Sequence, residues 1–378
     1  MIFLSIILGI FSYLISVTPV LAIYDPLSVP NNKIGIHILF PDEIEPASKI
    51  INNNGKAQWG YVTIPIQATD RDRKKWQLFF DQCKNNKVIP IVRVATVAEG
   101  SNWQEPNNFD LVDFANFLGD LNWPTTNRYV IIFNEVNRSD EYGGFVSPEK
   151  YADILNNAID IFKAKSADFF LLPAGLDNAA INTKTSFNWR RYLERMYLRH
   201  PNIFNKIDGW TSHAYPNPDF SSRPDISGVN KVDSFRTDLK YIKLFSNKKL
   251  PVFITETGWS RKYLSEHQIS LYYQYVLTHQ WNDPNIVAIT PFLLSAQDGA
   301  FMDFSFKNTD GEYKEFAQTL SDYSTIGEPI LTQKQEIIEL PIISATTSVQ
   351  ITKSNNENSF TLLKRLYNSL LSLMSIFK

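Results

Sequence analysis

From residue 34 onward the chain alternates two hydrophobic patterns. Short, nearly continuous apolar runs rich in β-branched and aromatic residues are each followed by a polar loop, then by a longer stretch with apolar residues every three or four positions. The first pattern marks strands covered on both faces, the second helices with one buried face. Eight strands are predicted, over 34–39, 60–66, 88–95, 129–135, 169–175, 207–215, 251–259 and 286–294. Helices are predicted between them, most clearly over 71–86, 147–165 and 265–280. In the last of these, Ile269, Tyr272, Tyr273 and Val276 fall on one helical face, and Ser265-Glu266 supplies a start signal. Ser147-Pro148-Glu149 starts the middle one in the same way, with a cap followed by a first-turn proline.

Strands alternating with helices give a parallel sheet, and eight such units match the usual size of a single closed (β/α)8 TIM barrel, expected over residues 30–325. An open, doubly wound sheet is the alternative, but no strand leads into a glycine-rich phosphate loop. The pattern dissolves beyond about Tyr323. Residues 326–360 read as a linker, with a short strand against the barrel's flank as an option, and 361–378 as an amphipathic helix. Leu362, Leu363, Leu366, Leu370, Leu373 and Phe377 form its apolar stripe, which suits either a membrane surface or packing on protein. The first 22 residues are apolar, free of acids and end in Val20-Leu21-Ala22, which reads as a signal peptide or an uncleaved anchor. Either way a secreted or cell-envelope location is expected.

Composition narrows the partners. Lys plus Arg (37) nearly balance Asp plus Glu (39), and no basic block marks a nucleic-acid surface. The single cysteine, Cys83, excludes an internal disulfide and sits in an apolar helical context, as a buried helix-face residue does. Five histidines without metal-ligand spacing give no reason to expect a metal or other cofactor, and no G-x-S-x-G elbow supports a serine hydrolase.

In a barrel the chemistry belongs at the C-terminal strand ends. Two glutamates occupy such ends: Glu135 in "YVIIFNEVN" and Glu256 in "VFITETGWS". Two carboxyl groups about 5–5.5 Å apart are what retaining hydrolysis of a glycosidic bond requires. With "FNEVN" on the fourth strand, "TSHAYP" on the sixth and "ITETGWS" on the seventh, the chain resembles the clan of retaining glycoside hydrolases built on (β/α)8 barrels, over residues 34–322. The resemblance implies Glu135 as acid/base, Glu256 as nucleophile and Asn134 as a partner of the sugar 2-hydroxyl. It also implies His213 in the pocket wall, Tyr215 on the nucleophile and Trp259 near a sugar ring.

The roles also follow from charge. Glu135 must hold a proton, through burial and a nearby negative charge, whereas Glu256 must be ionised. Arg93, inside the third strand, is the best candidate cation for Glu256, with a structural ion pair as the alternative. His37 on the first strand either reaches the mouth or is hydrogen-bonded in the core. Trp103, in a loop, is read as either a platform for sugar or core, and Trp59 as core. Phe292 and Gln297 stand where the clan commonly places a tryptophan under the scissile sugar, a departure from its pattern. The expected function is an exported retaining glycosidase acting on a β-linked oligo- or polysaccharide. A non-hydrolytic sugar-binding barrel of the cell envelope and a transglycosylase are the alternatives, with association of the termini with a membrane surface left open.

Overall fold

The computed structural model of the chain describes residues 23–53 and 59–332. The expected signal or anchor segment, the linker beyond residue 332 and the C-terminal amphipathic helix lie outside the described residues. All eight predicted strands form: β1 (Gly35–His37), β2 (Gly60–Gln67), β3 (Val88–Ala95), β4 (Arg128–Ile132), β5 (Phe169–Pro173), β6 (Trp210–His213), β7 (Val252–Glu256) and β8 (Ile286–Ile289). Each is followed by a helix: α1 (Ile44–Ile51), α2 (Arg73–Asn85), α3 (Asn108–Gly119), α4 (Pro148–Lys165), α5 (Trp189–Arg199), α6 (Ser234–Ile242), α7 (Glu266–Thr278) and α8 (Glu315–Asp322). The caps are those the sequence offers. Ser147 caps α4 ahead of Pro148, and Ser265 caps α7 in a reciprocal box with Gln268. Helix α2 starts later than predicted because the Asp72 carboxylate takes the Lys74 and Lys75 N–H groups.

The strands run parallel in sequence order, but the sheet does not close into one continuous ladder. Strands β1 to β5 form one sheet and β6 to β8 another. The expected closed barrel is corrected at two seams, where isolated backbone contacts and side-chain bonds stand in place of a continuous ladder. Between β5 and β6, Leu171 N–H donates to the Asp208 carboxylate and the Thr211 hydroxyl donates to Pro173 O. Between β8 and β1, Asn31 donates to Val287 O, and the backbones touch through an isolated Ile34–Ile289 bridge. A Pro173 carbonyl satisfied by a hydroxyl needs no opposite strand.

Side-chain parity divides the core in two. Val62, Ile64 and Ile66 of β2 and Val92 and Val94 of β3 face the helices, where they meet Trp76, Phe79, Phe80 and Cys83 of α2. Tyr61, Ile89, Ile91, Tyr129, Phe170 and Phe253 point the other way and fill the interior enclosed by the strands, with Trp59, Ile23 and Leu27 packed against them. Cys83 is buried, as expected. The interior plug is apolar, so polar groups pointing inward gather beyond it, at the C-terminal strand ends. The stretch after α8 runs back along the fold, where Thr125 and Leu331 form an antiparallel bridge, a single rung of the flanking strand offered as an option. Among the described residues no helix is long and apolar enough to cross a membrane.

Candidate active site

Glu135 and Glu256 reach the same cavity by different backbone devices. Beyond β4 the chain passes through two non-glycine residues in the left-handed region, Phe133 (φ 69°) and Glu135 (φ 31°), a conformation that costs of order 1–3 kcal/mol per residue. Glu135 N–H is anchored on Gly175 O at 3.0 Å, and Asn137 joins the same turn to the loop after β5 by donating to Asp177 O and Phe187 O. On β7 the device is a bulge. Ser212 pairs with Ile254 but His213 pairs with Glu256, so Thr255 is the extra residue. Alternation alone would send Glu256 outward with Ile254; the bulge turns it inward.

His213 joins the two walls. Its Nδ1 lies 2.9 Å from Glu135 Oε1 and 3.7 Å from Glu256 Oε2. One oxygen of each glutamate and one nitrogen of His213 fall within 4.8 Å of one another. Gly175 is required beside them, since a Cβ there would stand 2.2 Å from the His213 ring. Tyr215 donates to Glu256 Oε2 at 3.1 Å, and Arg93 Nη1 is 3.7 Å from Glu256 Oε1.

The two carboxyl groups are pushed apart in acidity. Burial raises the pKa of Glu135, reinforced by the charge of Glu256 and opposed by His213. Burial acts on Glu256 too, but there it is outweighed by the positive charge of His213 and Arg93 and by the Tyr215 bond, so Glu256 is held below the usual carboxylate range. His213 is buried, yet the two carboxylates keep its pKa above that of a free imidazole. Glu135, His213 and Glu256 also have the reach of a metal-ligand set, but Arg93 already brings a positive charge to Glu256, which disfavours a second cation there.

The cavity measures about 850 Å³. Of the sequence-predicted residues it brings together Glu135, Glu256, Asn134, His213, Tyr215, Arg93, Trp103 and Phe292. Trp103 is carried there by a small hairpin after β3, turned at Gly100 (φ 59°). Two predicted residues do not line it. Trp259 is 2% exposed; it packs on Tyr272, Tyr273 and Trp281 and donates its Nε1–H to Ser222 O, so it is core and not a sugar platform. His37 is fully buried behind Glu256, 4.0 Å from it and edge-on to Phe292, with burial driving its pKa down to about 3. It is an uncharged support of the wall. Gln297 is exposed and away from the cavity, while Trp59 is core as read.

The structure adds residues that sequence reasoning missed. Arg138 spans Glu135 (3.4 Å), Asp140 (2.7 Å) and Asp177 (4.0 Å). Glu141, three residues on, is a further carboxyl group in the wall beside Asp70 and Asp177, with its pKa pushed up to about 7 by burial against the opposing charge of Arg93. Phe220, Phe304 and Phe301 join the predicted Tyr215 and Phe292 in a chain of edge-on rings. Each lies in a loop beyond the C-terminal end of a strand, which places it at the mouth but gives no signal of where its side chain points.

No protein-family model and no curated protein matches the chain. Solved structures do. A family GH5_18 protein from Streptomyces cattleya in complex with GlcNAc is 11% identical, with a TM-score of 0.57 over 80% of this chain and 83% of that one. A GH128 subgroup II endo-β-1,3-glucanase from Sorangium cellulosum is 14% identical, with a TM-score of 0.54 over 78% of this chain and 100% of that one. A family 39 glycoside hydrolase from Bacteroides cellulosilyticus WH2 is 13% identical, with a TM-score of 0.54 over 79% of this chain; the chain spans only 64% of that enzyme's length. At these identities what is shared is the fold, the (β/α)8 arrangement of glycoside hydrolases.

Proposed function

We propose that this protein is a retaining glycosidase acting on an uncharged β-linked glycan, with Glu135 as acid/base and Glu256 as nucleophile. The observation that carries the reading is a pair of carboxyl groups whose oxygens come within 4.8 Å and whose acidities are shifted in opposite directions. Inverting hydrolysis places a water between carboxyl groups about 6.5–9.5 Å apart, and this pair is too close for that.

In the first step Glu256 attacks the anomeric carbon while Glu135 gives its proton to the departing glycosidic oxygen. An ester to Glu256 forms as the C–O bond breaks. Esterification removes the negative charge that helped to hold the proton on Glu135, so its pKa falls and it becomes the base that deprotonates the incoming water. Water then displaces Glu256 and the anomeric configuration is kept. Tyr215 and Arg93 hold Glu256 ionised and aimed between attacks.

An uncharged glycan is favoured because each cation in the cavity wall is already engaged: Arg93 by Glu256, Arg138 by Glu135 and Asp177, and Lys75 by Asp70. Neighbours of the same fold carry cellopentaose or mannotriose in their sites, which is consistent with such a ligand. The decisive experiment follows the first anomer released from an aryl β-glycoside or a β-glucan by proton NMR. Appearance of the β-anomer before mutarotation supports the reading; first release of the α-anomer, or hydrolysis undiminished in Glu256→Gln, rejects it. Export remains part of the proposal, resting on the apolar first 22 residues, and fractionation of the protein with and without them tests it.

A further inference from the structure

Each carboxyl oxygen of Glu135 faces a nitrogen: Oε1 lies 2.9 Å from His213 Nδ1, and Oε2 lies 3.4 Å from Arg138 Nη1. A guanidinium so placed draws the proton off an acid unless its charge is offset elsewhere. We propose that Asp140 holds Arg138 back from Glu135, so that the Arg138–Asp140 pair sets how readily Glu135 gives up and regains its proton. The proposal rests on the glycosidase reading and makes Arg138 and Asp140 positioning residues, which act through Glu135.

The guanidinium fork is filled from the side away from Glu135. Arg138 Nε and Nη2 meet the two oxygens of Asp140 at 3.2 and 2.7 Å, a bidentate pairing that leaves Nη1 for the cavity wall. There Nη1 is shared between Glu135 at 3.4 Å and Asp177 at 4.0 Å. Both residues of the pair are tied down by backbone bonds. Arg138 N–H donates to Glu135 O at 2.8 Å, and Arg138 forms an isolated bridge with Ser186 of the loop after β5. Asp140 O takes the Trp103 N–H at 2.8 Å, from the hairpin after β3. The bond from Arg138 keeps Asp140 ionised, with its pKa below the usual carboxylate range. The other groups facing Glu135 are His213 from β6, Glu256 from β7 and Glu141 from its own loop, while Arg93 and Tyr215 are taken up by Glu256. With Asp140 and Asp177 offsetting Arg138, Glu135 keeps its proton for the first step. Arg138 still stands at Oε2 to favour the carboxylate when Glu135 acts as base in the second.

The two partners of this ion pair are expected to act in opposite directions. In Arg138→Gln the positive charge is gone and Asp140 and Asp177 are left unneutralised, so the pKa of Glu135 rises and the alkaline limb of kcat/KM for an aryl β-glycoside moves to higher pH. In Asp140→Asn the guanidinium is released to Glu135, whose pKa falls, and the limb moves to lower pH. Each shift is expected to be about one pH unit, the low end for a charge at this distance, because both side chains of the pair are part-exposed. Arg138→Lys, which keeps the charge, is expected to leave the limb closer to its wild-type position than Arg138→Gln does. A pair that only held the loop together would be broken alike by both substitutions, so limbs that move in the same direction, or stay in place, overturn the proposal. Titration of the Glu135 carboxyl carbon by ¹³C NMR, assigned by its loss in Glu135→Gln, reads the same opposed shifts on the full chain without substrate. A wild type that hydrolyses no glycoside rejects the glycosidase reading instead, and the carboxyl titration still decides what the pair does to Glu135.

Discussion

The ends of β4 and β7 carry the same residue type into the same cavity and give it opposite character. At β4 the backbone twists through left-handed residues, and Glu135 meets the Nδ1 of His213 within the field of Glu256. At β7 a bulge turns Glu256 inward toward Tyr215, Arg93 and His213. Both carboxyl groups are buried, so burial does not distinguish them. What distinguishes them is the balance: at Glu256 the charges of His213 and Arg93 and the Tyr215 bond outweigh burial, whereas at Glu135 burial, aided by the like charges of Glu256 and Asp177, outweighs the contact with His213. In the proposed reaction that asymmetry divides the labour, and each expected outcome below breaks or sharpens it.

The largest effect belongs to Glu256→Gln. With no nucleophile, turnover is expected to fall on the order of 10⁴-fold or more, whatever the leaving group. Glu135→Gln is expected to cost about 10²–10⁴-fold on a natural glycan, where the leaving oxygen needs a proton, and much less on a dinitrophenyl glycoside, whose leaving group needs none. Steady-state kinetics on the two substrate types checks both. Equal losses of the two variants on both substrates would show that the carboxyl groups are not divided between acid and nucleophile.

A smaller effect is expected at Tyr215. Its hydroxyl donates to Glu256 and stabilises the ionised form, so Tyr215→Phe should raise the pKa of Glu256. The acid limb of the kcat/KM profile then moves to higher pH, because protonation of the nucleophile begins earlier as pH falls. A hydrogen bond to a charged group contributes about 1.5–3 kcal/mol, so a loss of roughly tenfold or more is expected in kcat/KM. An acid limb that stays in place in Tyr215→Phe would assign the depressed acidity of Glu256 to Arg93 and His213 alone.

The strand count and the strand-end glutamates were legible because they depend on local pattern: apolar runs of strand length, then a carboxylate where the run stops. Arg93 was legible for the same reason, as a charge inside an apolar strand, and it does lie beside Glu256. Trp259 misled because its place just past Glu256 in sequence says nothing of which way the chain turns, and it turns the indole under α7 toward Tyr273 and Trp281. His37 was legible only as an either-or, and of its two readings it takes the core: it is fully buried, 4.0 Å from Glu256 and outside the cavity wall. Arg138, Glu141 and the phenylalanine wall were illegible for a different reason. They lie in loops, where no periodicity reports orientation, and only the folded chain brings Phe220 against Phe304. The open seams were equally hidden, since whether Thr211 donates to Pro173 O depends on tertiary approach.

The smallest effect compares the two glutamates by stability alone, without any substrate. Glu135 has a folded-state pKa above its unfolded value, so the native protein binds its proton more tightly than the unfolded chain does. Its contribution is most favourable below the unfolded pKa and is lost as pH rises through the folded one. Glu256 has the opposite sign: its folded pKa is depressed, so its contribution is present above the unfolded pKa and is lost as pH falls through the folded value. A neutral glutamine removes each dependence. At pH 8 relative to pH 4, Glu135→Gln is therefore expected to gain in melting temperature against the wild type, and Glu256→Gln to lose, with differences on the order of a few degrees in a domain of this size. Removing the Glu256 charge also leaves Arg93 and His213 facing each other without their shared partner, which adds to the loss in that variant. Thermal melts of the three proteins across that range read the sign directly. Parallel curves would mean that the two carboxyl groups share one acidity, and the division of roles between β4 and β7 would then have no electrostatic basis.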